Sequence, residues 1–221
     1  MAQLKGLLFD MDGTLVDNLA YHFTAFDAYA KREGFNLLEP MSLKFNGMHS
    51  DAIFTRVLSE DVVAKYGLDR LNREKEEVYR EMYRPHIKPI KGVMELLRAA
   101  KAAGVKCAVG SSGCRENVEM IIEGLGIADL IDGSISGSDV THGKPHPEIF
   151  TKAHELLGLK AEECIVVEDA VNGILSGVAA GCKCIAITTT ASAEVLTEAG
   201  ASLCVEDYSM VTIDDLNDLL K

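Results

Sequence analysis

The chain has 221 residues, 48% of them hydrophobic and 25% charged, the balance of a globular protein able to bury one sizeable core and carry an attachment. Its formal net charge of −12 excludes an ordinary duplex binder, which needs a basic face to displace counterions. No apolar run approaches the roughly 20 residues that span a bilayer, so the expected partner is a small molecule, not nucleic acid or a membrane.

The N-terminus carries a single Lys and a short apolar stretch, Leu7-Leu8-Phe9, with no small-residue cleavage site after it. The stretch reads not as a signal peptide but as the first strand of a cytoplasmic protein. From residue 18 to 88 no strand is evident. Leu19, Phe23, Phe26 and Ala30 recur at helical spacing, Val57, Val62 and Val63 mark another segment, and the Glu/Arg/Lys-rich stretch 71–83 reads as a largely solvated helix. The expected division is an α/β core of residues 1–17 and 89–221, with a helical subdomain of residues 18–88. Its linkers fall near Val16-Asp17 and Lys88-Pro89.

Beyond the insertion, short apolar runs at 105–109, 164–167, 184–187 and 202–205 alternate with helical patterns at 93–103, 116–124, 147–157 and 173–180. Near-continuous apolar runs fit strands covered on both faces. Each helix ends near a glycine (Gly104, Gly124, Gly158, Gly181), a common stop. The alternation predicts a doubly wound, Rossmann-like parallel sheet. Cys107, Cys164, Cys184 and Cys204 sit within the apolar runs and read as reduced core thiols. Cys182 and Cys184 lack the second pair that a zinc site requires.

Chemistry gathers at the strand ends, where open α/β sheets bind ligands. Asp10-Met11-Asp12-Gly13-Thr14-Leu15 follows the first strand, and Glu168-Asp169 follows the run 164–167. Close carboxylates repel unless a cation sits among them, and Mg²⁺ takes oxygen ligands of this kind. Taken alone, D-x-D is equally a strand-ending Asx turn. Ser111-Ser112-Gly113 offers hydroxyls and turn N–H groups to phosphate oxygens, and Lys144 in Gly143-Lys144-Pro145-His146-Pro147 places a cation just before a helix N-terminus.

The order D-x-D-G-T-L, a strand ending in Ser, G-K-P-x-P and then E-D resembles the haloacid dehalogenase superfamily, in particular its β-phosphoglucomutase-like branch, over essentially the whole chain. The resemblance implies a Rossmann-like core with an inserted helical cap. It implies an aspartyl-phosphate on Asp10, Asp12 as general acid and base, and Ser111 and Lys144 on the transferring phosphoryl group. Mg²⁺ would lie on Asp10, Asp169 and the Asp12 carbonyl, with Glu168 beside them. Ser112 joins the substrate-binding set in the core. In the cap, His22 of Tyr21-His22-Phe23 and Lys75 match substrate-side positions, as does the stretch with Gly47, His49 and Ser50. The mutase has an arginine where this chain has Ser50, and serine has no bidentate fork for a second phosphate. The leading expectation is therefore a Mg²⁺-dependent phosphatase of small phosphorylated metabolites, expected to be sugar phosphates. A β-phosphoglucomutase-like mutase comes second and a non-catalytic phosphometabolite-binding module third.

Overall fold

The computed structural model describes residues 3–41 and 50–221. The chain divides into two compact units, Met1–Asp17 with Lys88–Lys221, and Asn18–Ile87.

The first unit is built on six strands: β1 (Gly6–Phe9), β2 (Lys106–Gly110), β3 (Gly133–Ile135), β4 (Cys164–Glu168), β5 (Lys183–Ile187) and β6 (Leu203–Val205). They form one sheet in the order β3-β2-β1-β4-β5-β6, and every neighbouring pair is parallel. The register aligns Phe9 with Val109 on one side and Val167 on the other, so β1, β2 and β4 end at one edge. Every residue of β1 and β4 is buried, as their unbroken apolar character requires of strands covered on both faces. The expected Rossmann-like class is present. β3 was not anticipated: its Gly133-Ser134-Ile135 has one apolar residue and no alternation to read.

The second unit contains α1 (Leu19–Glu33), α2 (Ser50–Val57), α3 (Glu60–Tyr66) and α4 (Leu68–Tyr83), with no strand among its described residues. α1 ends where Gly34 turns left-handed and its N–H donates to the carbonyls of Ala30 and Lys31. α4 corrects the reading of a largely solvated helix. Leu71, Lys75, Val78 and Tyr79 share one face at helical spacing and are buried. Lys75, 2% exposed, lays its ammonium 4.6 Å from the Phe26 ring centroid and 2.6 Å from Glu76 Oε1. A charged group tolerates such burial only when paired.

In the first unit, α5 (Val93–Ala102), α6 (Arg115–Leu125), α7 (Glu148–Leu156), α8 (Val171–Ala179), α9 (Ala193–Glu198) and α10 (Ile213–Leu219) complete the layers. Ile149, Phe150 and Ala153 of α7 and Ile174 of α8 share a buried cluster with Leu8, Ala108, Val166 and Ala186 of the sheet. Gly104, Gly158 and Gly181 stop helices with positive φ, but Gly124 lies inside α6, and Gly126 (φ +64°) ends that helix. Cys107, Cys164, Cys182 and Cys184 are free and buried, and burial pushes each thiol up to about 12. Cys204, expected in the core, is only partly buried because β6 is an edge strand. No helix among the described residues is long and apolar enough to cross a membrane.

Candidate active site

Asp10 is the first residue past β1, and its N–H still donates to Val167 O at 2.9 Å, which carries the sheet's order into the site. The chain then folds sharply. The Met11 carbonyl accepts from the N–H groups of Thr14, Leu15 and Val16, and Gly13 N–H donates to Val16 O at 2.7 Å. Gly13 has φ +85°, and a Cβ there would lie 2.1 Å from Asp169 Oδ2. Only glycine satisfies both the backbone angle and the approach of that carboxylate.

Asp169 is fixed from two sides. Thr14 Oγ1 donates to Oδ1 at 3.0 Å, and Thr190 Oγ1 donates to Oδ2. Thr189 Oγ1 donates to Gly13 O at 2.5 Å and Tyr208 OH to Thr14 O at 2.9 Å, so the turn and the metal-type carboxylate form one clamped unit. Glu168 Oε2 accepts the N–H groups of Asp169 and Ala170, each at 2.8 Å.

Lys144 completes the group. Its ammonium donates to Asp10 Oδ1, to Glu168 Oε1 at 2.8 Å and to Gly110 O at 3.0 Å, which uses all three of its hydrogens. It also sits 4.7 Å from the Phe150 ring centroid. The side chains of Asp10, Lys144 and Glu168 are 10%, 8% and 2% exposed, so their charges interact with little screening by water.

The electrostatics are unbalanced. Burial pushes the Asp10 carboxyl well above the usual carboxylate range; Lys144 opposes this, and Glu168, Asp169 and Asp12 reinforce it. Burial and then the Glu168 charge push Asp169 to about 7, although Thr190, Thr14 and Lys144 pull it down. Burial also works against the Lys144 ammonium, but Asp10 and Glu168 outweigh it and hold that group above its ordinary value. One lysine does not neutralise the surrounding carboxylates. Oxygen ligand atoms of Asp10, Glu168 and Asp169 lie within 4.8 Å of one another, and three hard oxygen donors short of positive charge fit a divalent cation such as Mg²⁺.

Beside this group, Ser111 is buried at the end of β2 and accepts the Gly113 N–H at 3.0 Å, which leaves its own hydrogen to donate. A Cβ on Gly113 would lie 3.2 Å from Ser111 Oγ and 3.7 Å from Asp12 Oδ2, so the serine and the second aspartate flank one small gap. Ser112 is exposed. In the helical unit, His22 Nδ1 is 3.3 Å from Lys75 Nζ, and the His22 ring stacks on Tyr79 at 3.8 Å between centroids. Ser50 is partly buried at the start of α2, and Gly47 and His49 lie outside the described residues.

Sequence reasoning did not find Thr190, Thr189, Tyr208 or Gly173. The available signal was Thr188-Thr189-Thr190, a run of hydroxyls following a buried strand on the same sheet edge. Gly173 carries a direct consequence, because a Cβ on it would lie 1.7 Å from Glu168 Oε1. Gly173→Ala is therefore expected to push Glu168 aside and break its bond to Lys144, lowering kcat/KM roughly 10–100-fold, the usual value of a residue supporting a metal site. Steady-state kinetics beside far-UV circular dichroism checks this, and unchanged kcat/KM would contradict it.

The family model described as haloacid dehalogenase-like hydrolase matches residues 7–187. Validoxylamine A 7'-phosphate phosphatase of Streptomyces hygroscopicus subsp. limoneus is 33% identical over 90% of this chain and 92% of its own length. Hexitol phosphatase A of Escherichia coli (strain K12) is 31% identical over 95% and 94%. The chain spans only 21% of another relative, the chloroplastic protein SUPPRESSOR OF QUENCHING 1 of Arabidopsis thaliana, to which it is 30% identical over 97% of its own length. A crystal structure of a family IA, variant 3 HAD hydrolase from Entamoeba histolytica superposes with a TM-score of 0.82 at 28% identity, covering 98% of this chain and 99% of that one. With a family match running from β1 to the end of β5, and the acidic strand-end cluster inside it, the chain belongs to the haloacid dehalogenase-like hydrolase family.

Proposed function

We propose that this chain is a Mg²⁺-dependent phosphatase of small phosphorylated metabolites, sugar phosphates foremost, acting through an aspartyl-phosphate on Asp10. The observation that carries the reading is the buried group of Asp10, Glu168 and Asp169 around Lys144, which is short of positive charge until a cation enters. The two phosphatase relatives, active on the compounds their names state, support the substrate class. The free, buried thiols accord with a reducing compartment, and we assign the protein to the cytoplasm.

In this mechanism Asp10, Asp169 and the Asp12 carbonyl would hold Mg²⁺, with Glu168 beside them. When bound, the ion supplies positive charge to the phosphoryl oxygens and keeps the carboxylates ionised. Lys144 and Ser111 take peripheral phosphoryl oxygens, where alignment and charge stabilisation do most of the catalysis. An Asp10 oxygen forms a bond to phosphorus while the bond to the substrate oxygen breaks. Asp12 gives that departing oxygen its proton. The Asp12 carboxylate then takes a proton from water as the water attacks the acyl-phosphate, releasing inorganic phosphate and restoring Asp10. His22, Ser50, Gly47, His49 and Ser112 remain candidates for substrate selection. Lys75, sequestered between Phe26 and Glu76, is assigned to positioning His22.

A phosphate-release screen across phosphorylated metabolites, including β-glucose 1-phosphate with a bisphosphate activator, tests the reading. Phosphate release from several monophosphates is expected. Efficient, bisphosphate-dependent isomerisation of β-glucose 1-phosphate with negligible phosphate release would establish the mutase instead.

The effect of the metal on stability should vary with pH. The folded value of Asp169, about 7, lies above its ordinary 3.8. The stability this group contributes is therefore full below about 4 and is lost as pH rises through about 7. Above that point the metal-free carboxylates repel, and a divalent ion relieves them. Mg²⁺ is expected to raise Tm more at pH 8 than at pH 5.5, and chelation to abolish turnover until Mg²⁺ returns. Thermal unfolding and activity in chelator check both; full activity in metal-free protein would contradict them.

A further inference from the structure

A second group of metal-ligating side chains stands apart from the carboxylate cluster: His142 and His146, which flank Lys144 in its loop, and Glu148 at the first turn of α7. One ligand atom from each lies within 4.8 Å of the others. His142 Nδ1 is 3.3 Å from Glu148 Oε2, and the two imidazole rings stand 4.6 Å apart at 33°. We propose that His142, His146 and Glu148 form a second metal site, selective for a borderline-soft divalent ion such as Zn²⁺.

The donor set decides the class of ion. Two imidazoles with one carboxylate suit Zn²⁺ and its neighbours, whereas the carboxylates around Asp10 suit a hard ion such as Mg²⁺. The spacing agrees. Ligand bonds of about 2.0–2.1 Å arranged as a tetrahedron put ligand atoms about 3.3–3.4 Å apart. The His142–Glu148 pair already has that separation at 3.3 Å. The remaining ligand must swing inward, and both histidines are exposed and able to turn.

The scaffold is already set. Glu148 is anchored by the backbone it faces: Oε2 accepts the His142 N–H at 3.0 Å and Oε1 the Thr141 N–H at 3.1 Å. His146 lies between Pro145 and Pro147, whose rings fix φ on either side, and its carbonyl accepts Ser176 Oγ at 2.7 Å. Such outer contacts orient ligands before the ion arrives. Two interactions oppose binding. Lys152 Nζ competes for Glu148 Oε1 at 2.8 Å, and ligation of His146 through Nδ1 would give up the long 3.3 Å bond that this atom accepts from Glu148 N–H. The first is an exposed pair of small value and the second an exposed amide that water can satisfy. An ion here would tie together the two flanks of the loop that carries Lys144.

The test uses the full chain without a histidine tag, at pH 7.5, in Mg²⁺ sufficient to fill the carboxylate cluster. Co²⁺ is titrated as a spectroscopic probe by visible absorption, and Zn²⁺ by competition with a chromogenic chelator. One equivalent of each is expected to bind, with Co²⁺ bands of a four-coordinate nitrogen–oxygen site. His142→Ala and His146→Ala should each weaken binding at least about 10-fold, the least that a residue of a metal site is worth, and Asp169→Asn should leave it unchanged. Binding unaffected by the His142→Ala/His146→Ala double variant, binding lost in Asp169→Asn, or no saturable binding to the unmodified chain would each overturn the proposal.

Discussion

Asp10→Asn is expected to abolish turnover, with a loss of roughly 10⁴-fold or more, as removal of a nucleophile generally produces. The amide keeps the shape of the carboxyl but supplies neither an attacking oxygen anion nor a full ligand charge. The fold should survive and gain. Burial and the charges of Glu168, Asp169 and Asp12 raise the Asp10 carboxyl well above its ordinary range, so its ionised form burdens the metal-free protein. Removing that charge should raise the metal-free Tm at pH 8 while activity vanishes. Lys144 keeps Glu168 and the Gly110 carbonyl as partners in the variant. Kinetics and thermal unfolding on one preparation separate a chemical role from a structural one. Loss of activity together with loss of stability would contradict this account.

Asp12→Ala should cost about 10²–10⁴-fold, the range for a positioned acid and base. The residue is asked to act twice, so the loss should depend on the substrate. With a poor leaving group such as a sugar alkoxide, both protonation of the departing oxygen and activation of water suffer. With p-nitrophenyl phosphate the departing oxygen needs no proton, and formation of the phosphoenzyme should be largely spared. Its hydrolysis should remain slow, giving a burst of nitrophenol followed by a slow steady state. Stopped-flow absorbance checks this, and equal loss on both substrates without a burst would remove Asp12 from the acid/base role.

The core of this arrangement was legible because its chemistry sits where strand patterns end. Asp10, Ser111 and Asp169 each lie one or two residues past an apolar run of three to five residues, and parallel-sheet topology brings such ends to one edge. What escaped was whatever depends on approach between segments distant in sequence. Thr190 reads as an ordinary loop residue until the sheet order sets β5 beside β4, where its hydroxyl reaches Asp169. Gly173 reads as a weak point in a helix until its missing Cβ is seen to make room for the Glu168 carboxylate. Lys75 differs from its surroundings for the opposite reason. Its neighbours are charged and its helix looks solvated, yet its own position falls on the buried stripe with Leu71, Val78 and Tyr79. Local composition outweighed periodicity in that reading. β3 was invisible because three residues, two of them Gly and Ser, carry no pattern.

Phosphoryl transfer through a covalent bond to Asp10 leaves an intermediate that can be trapped. Rapid acid quench of enzyme turning over in Mg²⁺, followed by proteolysis and peptide mass spectrometry, tests it most directly, with Asp12→Ala used to prolong the intermediate. One phosphoryl group is expected on the peptide containing Asp10, labile to hydroxylamine as an acyl-phosphate is, and absent from Asp10→Asn. A phosphoryl group on another residue, or steady phosphate release with no phosphoenzyme in either protein, would contradict it.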